Sequence, residues 1–472
     1  MNEARDEPLA PSVLVQPKPS RILADARAFY TRHAHDAPCQ QTRRELGLPT
    51  QTPIVMTGHQ ASWWHAGILA KFFACRALAD CWGAAPAWIV PDQDEQAFDT
   101  IAIPVRDENG ALARESVRVT SPPRAGTPVA SLPAFDHLPL SPRSAPACAS
   151  IEPGLRALAG AVARHSDAPN AARQIAGALA TLMEPWLPPA PTVFATNLNT
   201  TTLFADLVGR FREDADRATK TYNRAVASIA HAHVATLDRD SARRRFELPL
   251  WRVRFGQPRQ PVWSDELATL AVEELAPKAL LMTGALRLAC ADLFIHGTGG
   301  GVYDRATERW LGEWLGVELA PMLIVSATLT LPIGNGAPTE HDLHAAVWRA
   351  HHARHHPSVL GCDGAQAQRD AFVKEIARAR HAGDDPGPAF RTLHDALAEY
   401  RDAERDRLAA LDAQAESLRA RRDAGEIADD RTWAFFLHDP AALTRLDDAI
   451  RRAVCAQTAD AATVGPDAAH AR

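Results

Sequence analysis

The hydrophobic pattern between residues 50 and 100 predicts a strand, a helix and a second strand. Residues 54–56 are an apolar run that ends in a turn at Gly58, and residues 87–90 are a second apolar run. The segment between them has a helical pattern. Acidic side chains follow the second run: Asp92, Asp94 and Glu95. Because open α/β sheets bind ligands at the carboxyl ends of their strands, this segment predicts a binding or active site.

Apolar segments at residues 192–196, 293–296 and 323–326 extend this pattern. We therefore predict the α/β fold class, with a Rossmann-like, mainly parallel sheet core over residues 21–335. Residues 1–20 are rich in proline and predict a flexible N-terminal tail. Proline and serine also dominate residues 120–153, which we interpret as an irregular connection within the core.

The last third of the chain has a different pattern, and residues 336–430 are predicted to be helical. Apolar residues between positions 390 and 424 recur mainly at spacings of three and four, with Arg and Glu between them. This spacing predicts an antiparallel coiled-coil region. Such a seam forms either an intramolecular hairpin or the interface of a homodimer. Residues 431–472 are predicted to return to the core and to finish in a disordered end.

Composition narrows the classes of partner. The chain has 472 residues and a formal net charge of -6, so neither a nucleic acid nor an anionic membrane is an expected partner. No apolar run approaches the roughly eighteen residues of a membrane-spanning helix. The seven cysteines are scattered without CxxC spacing and predict reduced thiols. Together with the lack of an apolar leader, these features predict a cytoplasmic protein that acts on a small-molecule substrate.

Polar residues at the ends of the first two strands are candidate catalytic groups: His59, Gln60, Asp92 and Asp94. A histidine titrates near neutrality and can act as an acid, a base or a hydrogen-bond donor to a phosphate. Asp92 and Asp94 lie two positions apart on an extended chain, so their carboxylates are expected to converge on Mg²⁺ or on a substrate amine. Capping of a following helix is the alternative. Lys71, on the intervening helix, is expected on a solvated face, and neutralisation of a phosphate is the alternative.

A glycine cluster follows the strand that ends at His296: Gly297, Gly299, Gly300 and Gly301. A strand, glycines and a helix in this order can bind a phosphate or another anion at the helix N-terminus. The spacing matches neither the dinucleotide-binding fingerprint nor the P-loop, so a tight structural turn is the alternative.

Further polar residues near these strand ends are candidates for binding a substrate or an anion. Asn197 and Asn199 follow the third strand at the same two-residue spacing as the two aspartates. Arg287 lies in an apolar helical pattern and is either part of a buried ion pair or an anion clamp. Tyr303 and Asp304 follow the glycines and either bind the ligand or cap the next helix.

Three short motifs follow one another along the chain. They are Thr57-Gly58-His59-Gln60, Ala87-Trp88-Ile89-Val90-Pro91-Asp92-Gln93-Asp94-Glu95 and His296-Gly297-Thr298-Gly299-Gly300-Gly301-Val302-Tyr303. In order and interval they resemble T-G-Q-Q, F-W-I-A-S-E-D-H-D-F-D-E-I and G-G-P-G-E-I-A-Y of the cysteine-adding enzymes of bacillithiol synthesis. The resemblance covers most of residues 50–430. It implies a Rossmann-type core, a connecting segment, an antiparallel coiled coil and the ligation of cysteine to a glucosaminyl-malate.

The chain departs from that pattern at three positions, so it resembles a divergent member of the family. His59 replaces the first Gln of the family motif, Asp94 replaces its His, and Gly300 replaces its Glu. The resemblance implies a ligase that joins cysteine or another small amine to a sugar-derived acceptor. Candidate cofactors are ATP or ADP and Mg²⁺. The alternative is a non-catalytic metabolite- or nucleotide-binding or assembly protein of the same fold.

Overall fold

A computed structural model describes residues 10–108, 110–230, 233–334 and 338–462, with the side chains of the last helix described as far as Cys455. The strands of these residues are β1 (Ser12–Gln16), β2 (Ile54–Gly58), β3 (Ala85–Val90), β4 (Thr100–Arg106), β5 (Leu112–Arg118), β6 (Ala145–Pro146), β7 (Thr192–Phe194), β8 (Arg239–Asp240), β9 (Arg245–Arg252), β10 (Gln260–Trp263), β11 (Leu275–Pro277), β12 (Leu293–His296) and β13 (Met322–Thr328). The α-helices are α1 (Pro19–His33), α2 (Ala37–Glu45), α3 (Ala66–Trp82), α4 (Ile151–Arg164), α5 (Ala171–Met183), α6 (Thr202–Ala227), α7 (Ala279–Ala289), α8 (Thr298–Leu315), α9 (Glu340–Ala353), α10 (Asp363–Ala382), α11 (Gly387–Ala403), α12 (Arg405–Ala428) and α13 (Pro440–Ala462).

The main sheet has the strand order β1-β13-β12-β2-β3-β7 within the described residues. Strands β13, β12, β2, β3 and β7 are parallel, and β1 pairs with β13 in the antiparallel direction. The predicted mixed α/β fold with a mainly parallel sheet is confirmed. Its first two predicted strands are neighbours, with Met56 opposite Ala87. Their apolar runs suit strands that are covered on both faces.

Strand order reverses between β2 and β12. From β2 the chain adds β3 and then β7 on one side, and it later adds β12 and then β13 on the other. The segments that leave the carboxyl ends of β2 and β12 lead into α3 and α8. In an open α/β sheet, a reversal of this kind leaves a crevice between the two departing segments.

Helix α3 is buried along most of its length, because it packs on β2, on β13 and on the last helix, α13. Its sequence is apolar nearly all round, as expected for a helix without a solvated face. Gly67 permits the approach to β13, since a Cβ atom there would lie 2.7 Å from the Ala327 carbonyl oxygen. The helix therefore starts directly beside the sheet edge that forms the crevice.

The chain divides into two compact units. Among the described residues, one comprises those within 107–113 and 332–430, and its helices pack as the pairs α10 with α11 and α9 with α12. The other comprises the described residues within 10–106, 114–331 and 431–462 and contains the main sheet. None of the helices in the described residues has both the length and the hydropathy needed to cross a membrane.

The N-terminal segment differs from the predicted flexible tail. Residues 1–9 and 463–472, which include the predicted disordered end, lie outside the described residues. Ser12–Gln16, however, forms β1 at the edge of the main sheet, with Leu14 opposite Ser326. Alternating side chains in this strand let one face pack while the other stays exposed, a pattern that the surrounding prolines obscure.

The prediction that all cysteines are reduced thiols is wrong for one pair. Cys81 and Cys455 form a disulfide across a sequence separation of 374 residues. Packing of α13 against α3 brings their Cα atoms to 6.5 Å, within the range that a disulfide spans. Because disulfides persist mainly in oxidising compartments, the cytoplasmic location remains a prediction that this pair does not support.

Candidate functional site

Lys71 is a buried cation at the crevice between β2 and β12. Its side chain lies on α3, and Nζ donates a hydrogen bond of 2.6 Å to the carbonyl oxygen of Gly58, the last residue of β2. No carboxylate of the described residues lies within 4.0 Å of this nitrogen. Burial lowers the pKa of Lys71 to about 7. The expected solvated position for Lys71 is therefore wrong, because the helix that carries it has no solvated face at this point.

Two histidines lie close to Lys71 at the start of α3. Burial lowers the pKa of His59 well below its ordinary value, and the proximity of Lys71 and His65 lowers it further. The ring of His59 meets Trp64 edge to face, with the ring centroids 6.1 Å apart. Nδ1 of His65 accepts a hydrogen bond from the Gly67 amide and so caps α3. At neutral pH, His59 is thus an uncharged base rather than a cation.

Gly58 and Gln60 shape the segment between β2 and α3. A Cβ atom on Gly58 would lie 1.9 Å from the Ile89 carbonyl oxygen, so only glycine fits between β2 and β3 at this level. The carbonyl oxygen of Gln60 accepts a hydrogen bond of 2.8 Å from Nε1 of Trp64. These contacts hold His59 in the turn that leaves the sheet.

The glycine cluster is the first turn of α8 rather than a separate loop. Gly297 is the N-cap residue, and the Gly301 amide donates to its carbonyl oxygen at 3.0 Å. No side chain of the described residues caps this N-terminus. The expectation that Tyr303 or Asp304 caps this helix is wrong, because the glycines themselves adopt helical geometry and both residues lie inside α8.

Individual glycines of this turn have different surroundings. A Cβ atom on Gly300 would lie 2.7 Å from the His296 ring, and one on Gly301 would lie 2.4 Å from Ile324. Gly299 has open space around it, and the Cβ position of Gly297 is 3.7 Å from Cδ of Lys71. The N-terminus of α8 therefore approaches Lys71, and its positive end faces the same crevice.

Arg287 belongs to a buried ion-pair network and does not face the crevice. Its guanidinium donates to the Ala320 carbonyl oxygen at 2.7 Å and pairs with Asp304 and Glu308. The side chains of Arg287 and Asp304 are 0% exposed. Of the two alternatives from the sequence, the buried ion pair is therefore observed. The anion-clamp role for Arg287 is wrong, because its guanidinium already donates to Asp304, Glu308 and the Ala320 carbonyl oxygen.

His296 and Thr283 complete this network around Asp304. Nε2 of His296 lies 2.8 Å from the Asp304 carboxylate, and the Thr283 hydroxyl donates to the same group at 2.8 Å. Burial alone would raise the pKa of Asp304, but His296, Arg287 and these hydrogen bonds hold it well below its ordinary value. The network joins β12, α7 and α8 and fixes the base of the glycine turn.

Asp92 and Asp94 bind separate partners instead of converging. Both carboxylate oxygens of Asp92 accept hydrogen bonds from Thr196, one from its amide at 2.9 Å and one from its hydroxyl at 2.6 Å. Asp94 forms an ion pair of 2.7 Å with Arg259. Burial raises the pKa of Asp92 to about 6, and the bonds from Thr196 oppose that shift. The expected shared site for Mg²⁺ or an amine is not formed, because the chain turns between the two residues.

Within the described residues, no group of three or more His, Cys, Asp or Glu side chains is arranged to hold a metal ion.

Asn197 and Asn199 bind neighbouring parts of the protein. Oδ1 of Asn197 accepts a hydrogen bond of 3.0 Å from Arg173, and Nδ2 of Asn199 donates to the carbonyl oxygens of Glu273 and Leu275. These bonds attach the segment after β7 to α5 and β11. The structure therefore gives both amides positioning contacts within the fold.

The phenol of Tyr303 is affected by carboxylates from two different segments, α8 and the residues after β3. Burial raises the pKa of its phenol, and the nearby carboxylates of Asp304 and Asp94 raise it further. Gln93, next to Asp94, is fully buried, and its Oε1 has no hydrogen-bond partner among the described residues. Asp94, which follows β3, therefore lies close enough to Tyr303 of α8 to affect its phenol electrostatically.

Sequence analysis favoured the wrong environment for Lys71 and missed Arg259. A signal for Lys71 was present, because residues 66–75 are otherwise apolar and leave no solvated face for a charged side chain. Arg259 lies 165 residues from Asp94 and follows an irregular segment, so the sequence carries no comparable signal for that pair.

Comparison with protein-family models found none that matches the chain, and a search of curated proteins found no matching sequence.

Proposed function

We propose that this protein binds a small molecule through its anionic group at the crevice between β2 and β12. The observation that carries the proposal is Lys71, which is buried without a carboxylate partner. A buried ammonium group is costly unless an anion compensates it. The uncapped N-terminus of α8 adds amide donors on the opposite side of the crevice. A phosphate or a carboxylate between them would satisfy both.

We further propose that this binding serves a ligase reaction of the cysteine-adding type, which would join cysteine or another small amine to a sugar-derived acceptor. The three motifs in the sequence support this assignment. The strand order, which reverses between β2 and β12, supports the Rossmann-like classification. The phosphates of ATP or ADP belong to the class of anion that the crevice would accept.

In this proposal His59 acts as the base. An uncharged imidazole beside the substrate can take the proton that an amine loses when its nitrogen bonds to an acyl carbon of the acceptor. The bond from that carbon to its leaving group, a phosphate if ATP has activated the acceptor, breaks in the same reaction. Lys71 would stabilise negative charge that develops on the acceptor. Asp94, held by Arg259, would border the position of the amine.

A non-catalytic binding protein is the second candidate, and the two aspartates favour it. Asp92 uses both oxygens to hold Thr196, and Asp94 is already neutralised by Arg259. Groups engaged in this way maintain the fold and leave fewer free acids for chemistry. Under this proposal the crevice would bind a metabolite or a nucleotide without turnover.

The expected location, partners and assembly of the protein are part of the same proposal. We propose a cytoplasmic protein that binds neither nucleic acid nor membrane. The paired helices α9 with α12 and α10 with α11 support an antiparallel coiled-coil arrangement that could also join two copies of the chain.

Thermal unfolding with inorganic phosphate tests the binding proposal. Phosphate should raise the melting temperature of the wild type and of the control variant Lys374→Met, whose side chain is exposed on α10. It should not raise that of Lys71→Met. Equal shifts in all three proteins would contradict a role for Lys71.

The same assay with cysteine, amino sugars, ATP and ADP tests the ligase proposal. If turnover is measured, His59→Ala and Asp94→Asn should each reduce it by roughly a hundredfold or more. Binding without turnover for every tested combination would favour the non-catalytic candidate. Normal turnover in both folded variants would exclude these residues from the chemistry.

A further inference from the structure

A cavity of about 430 Å³ is lined by none of the residues described at the crevice. It is bounded by α4, by the end of α5 and by residues 435–443, which lead into α13. Its apolar walls include Leu182, Trp186, Phe436 and Leu443. Small-molecule sites in proteins are typically concave and mostly apolar, with volumes of roughly 300–1,000 Å³.

The walls of this cavity are fixed by hydrogen bonds and close packing. The Ser150 hydroxyl donates to the Leu437 carbonyl oxygen at 2.6 Å, and Nε1 of Trp186 donates to the Thr444 hydroxyl at 2.9 Å. Gly154 allows α4 to approach, since a Cβ atom there would lie 2.0 Å from the Phe436 carbonyl oxygen. These contacts join all three walls, so the cavity is formed before a ligand arrives.

The charges around the cavity exclude an anionic ligand. Neither lysine nor arginine lines it within the described residues. Burial lowers the pKa of His438 to about 4, so its imidazole is uncharged at neutral pH. The remaining ionisable residue of the lining is Asp439, whose carboxylate accepts a hydrogen bond from the Ala441 amide. A carboxylate or a phosphate would thus find a negative charge and no cation.

His438 supplies the polar group of this cavity. Its side chain is 3% exposed, and its Nε2 has no hydrogen-bond partner in the described part of the chain. No hydrogen bond to Nδ1 is formed by the described residues either. Nε2 is closed to a water molecule and Nδ1 is not, so a ligand in the cavity would reach the imidazole at Nδ1 and give this buried side chain a hydrogen-bond partner.

We propose that this cavity binds an uncharged aromatic molecule that carries a single hydroxyl or N–H group. Its ring packs among the apolar side chains, where Trp186 and Phe436 offer aromatic surfaces. Its polar group forms a hydrogen bond with the imidazole of His438. This site is independent of Lys71 and of the proposed function of the crevice.

Calorimetric titration of the full chain with three related probes tests the proposal. 4-Methylphenol should bind more tightly than toluene, which lacks the hydroxyl, and 4-methylbenzoate should bind most weakly because it is charged. His438→Phe should weaken 4-methylphenol by roughly tenfold and leave toluene unchanged, because it removes the hydrogen bond and keeps a ring. Lys71→Met should bind 4-methylphenol as the wild type does.

A substitution that fills the cavity provides a second test. Ala157 is exposed on α4 at the rim of the cavity, so Ala157→Trp should fold normally and abolish 4-methylphenol binding. Ala205→Trp places the same side chain at an exposed position of α6 and should bind normally. Wild-type affinity in Ala157→Trp, or preference for 4-methylbenzoate, would overturn the proposal. So would a monomer produced from an oligomer by Ala157→Trp, because a second copy of the chain would then cover this face.

Discussion

Arg287 and Lys71 are both buried cations on helices that pack beside the parallel strands, but only one of them is neutralised by the protein. Arg287 pairs with Asp304 and Glu308 and also donates to a backbone carbonyl. Lys71 has the Gly58 carbonyl oxygen as its hydrogen-bond acceptor within the described residues. The first cation is internally compensated, and the second is left for a partner that the chain itself does not provide.

This difference separates a structural charge from a functional one. Both positions were visible in the sequence as a basic residue within an apolar helix. A buried ion pair stabilises one arrangement of its neighbours, and removal of one partner leaves an uncompensated charge. A buried lysine without a carboxylate instead resembles a group prepared for a ligand or a reaction.

The largest effect is expected when the compensated charge loses its partner. Asp304→Asn should lower the free energy of unfolding by about 3–5 kcal/mol, because Arg287 and His296 keep their positions without the buried carboxylate. Urea unfolding followed by circular dichroism measures this change. The control is Glu308→Gln, whose carboxylate is 44% exposed and whose loss should cost less than about 1 kcal/mol. Equal losses in the two variants would show that burial does not decide the strength of this network.

A smaller effect is expected in the glycine turn that lies between the two cations. Gly301→Ala should lower the free energy of unfolding by about 1–3 kcal/mol, because its methyl group would overlap Ile324. Gly299→Ala should be neutral or stabilising by up to about 1 kcal/mol, since the position is open and alanine favours a helix. Chemical unfolding of both variants measures the contrast. Tolerance of Gly301→Ala would mean that α8 can move away from β13.

The smallest effect concerns the pH dependence of the uncompensated lysine. The folded-state pKa of Lys71, about 7, lies below its ordinary value of 10.5. The unfolded chain therefore binds more protons between these values, and stability from this group rises with pH across that window. The free energy of unfolding of the wild type, minus that of Lys71→Met, should rise by up to about 1.4 kcal/mol between pH 7 and pH 8. Saturating phosphate should reduce this slope, because a bound anion favours the charged form. A flat difference curve would place Lys71 in contact with solvent.

The sheet was predictable from the sequence because its inner strands are buried on both faces. Such strands leave unbroken apolar runs, and the runs at β2, β3 and β12 were found for that reason. Strand β1 was missed because it is a short edge strand with alternating exposure, preceded and followed by prolines. The Cys81–Cys455 pair was missed because its formation depends on how α13 packs, which local patterns do not record.

The position of the candidate site was predictable from the sequence, but the contacts of its side chains were less so. Residues of the first and third motifs lie at the strand ends that border the crevice, as parallel strands require. The partners of individual side chains depend on distant residues, as the contacts of Asp92 with Thr196 and of Arg287 with Asp304 illustrate. Sequence spacing suggested that the two aspartates would point the same way, but the turn after β3 separates them.

The Cys81–Cys455 disulfide has a consequence for how the chain responds to a protease. The bond closes a covalent ring that contains the whole of Pro332–Asp430, the largest segment of the helical unit. A single cut of the backbone anywhere in that segment would leave both fragments joined through sulfur. A nicked molecule would therefore migrate as one species on a non-reducing gel and as two after reduction, while α13 stays attached to the helix that carries Lys71.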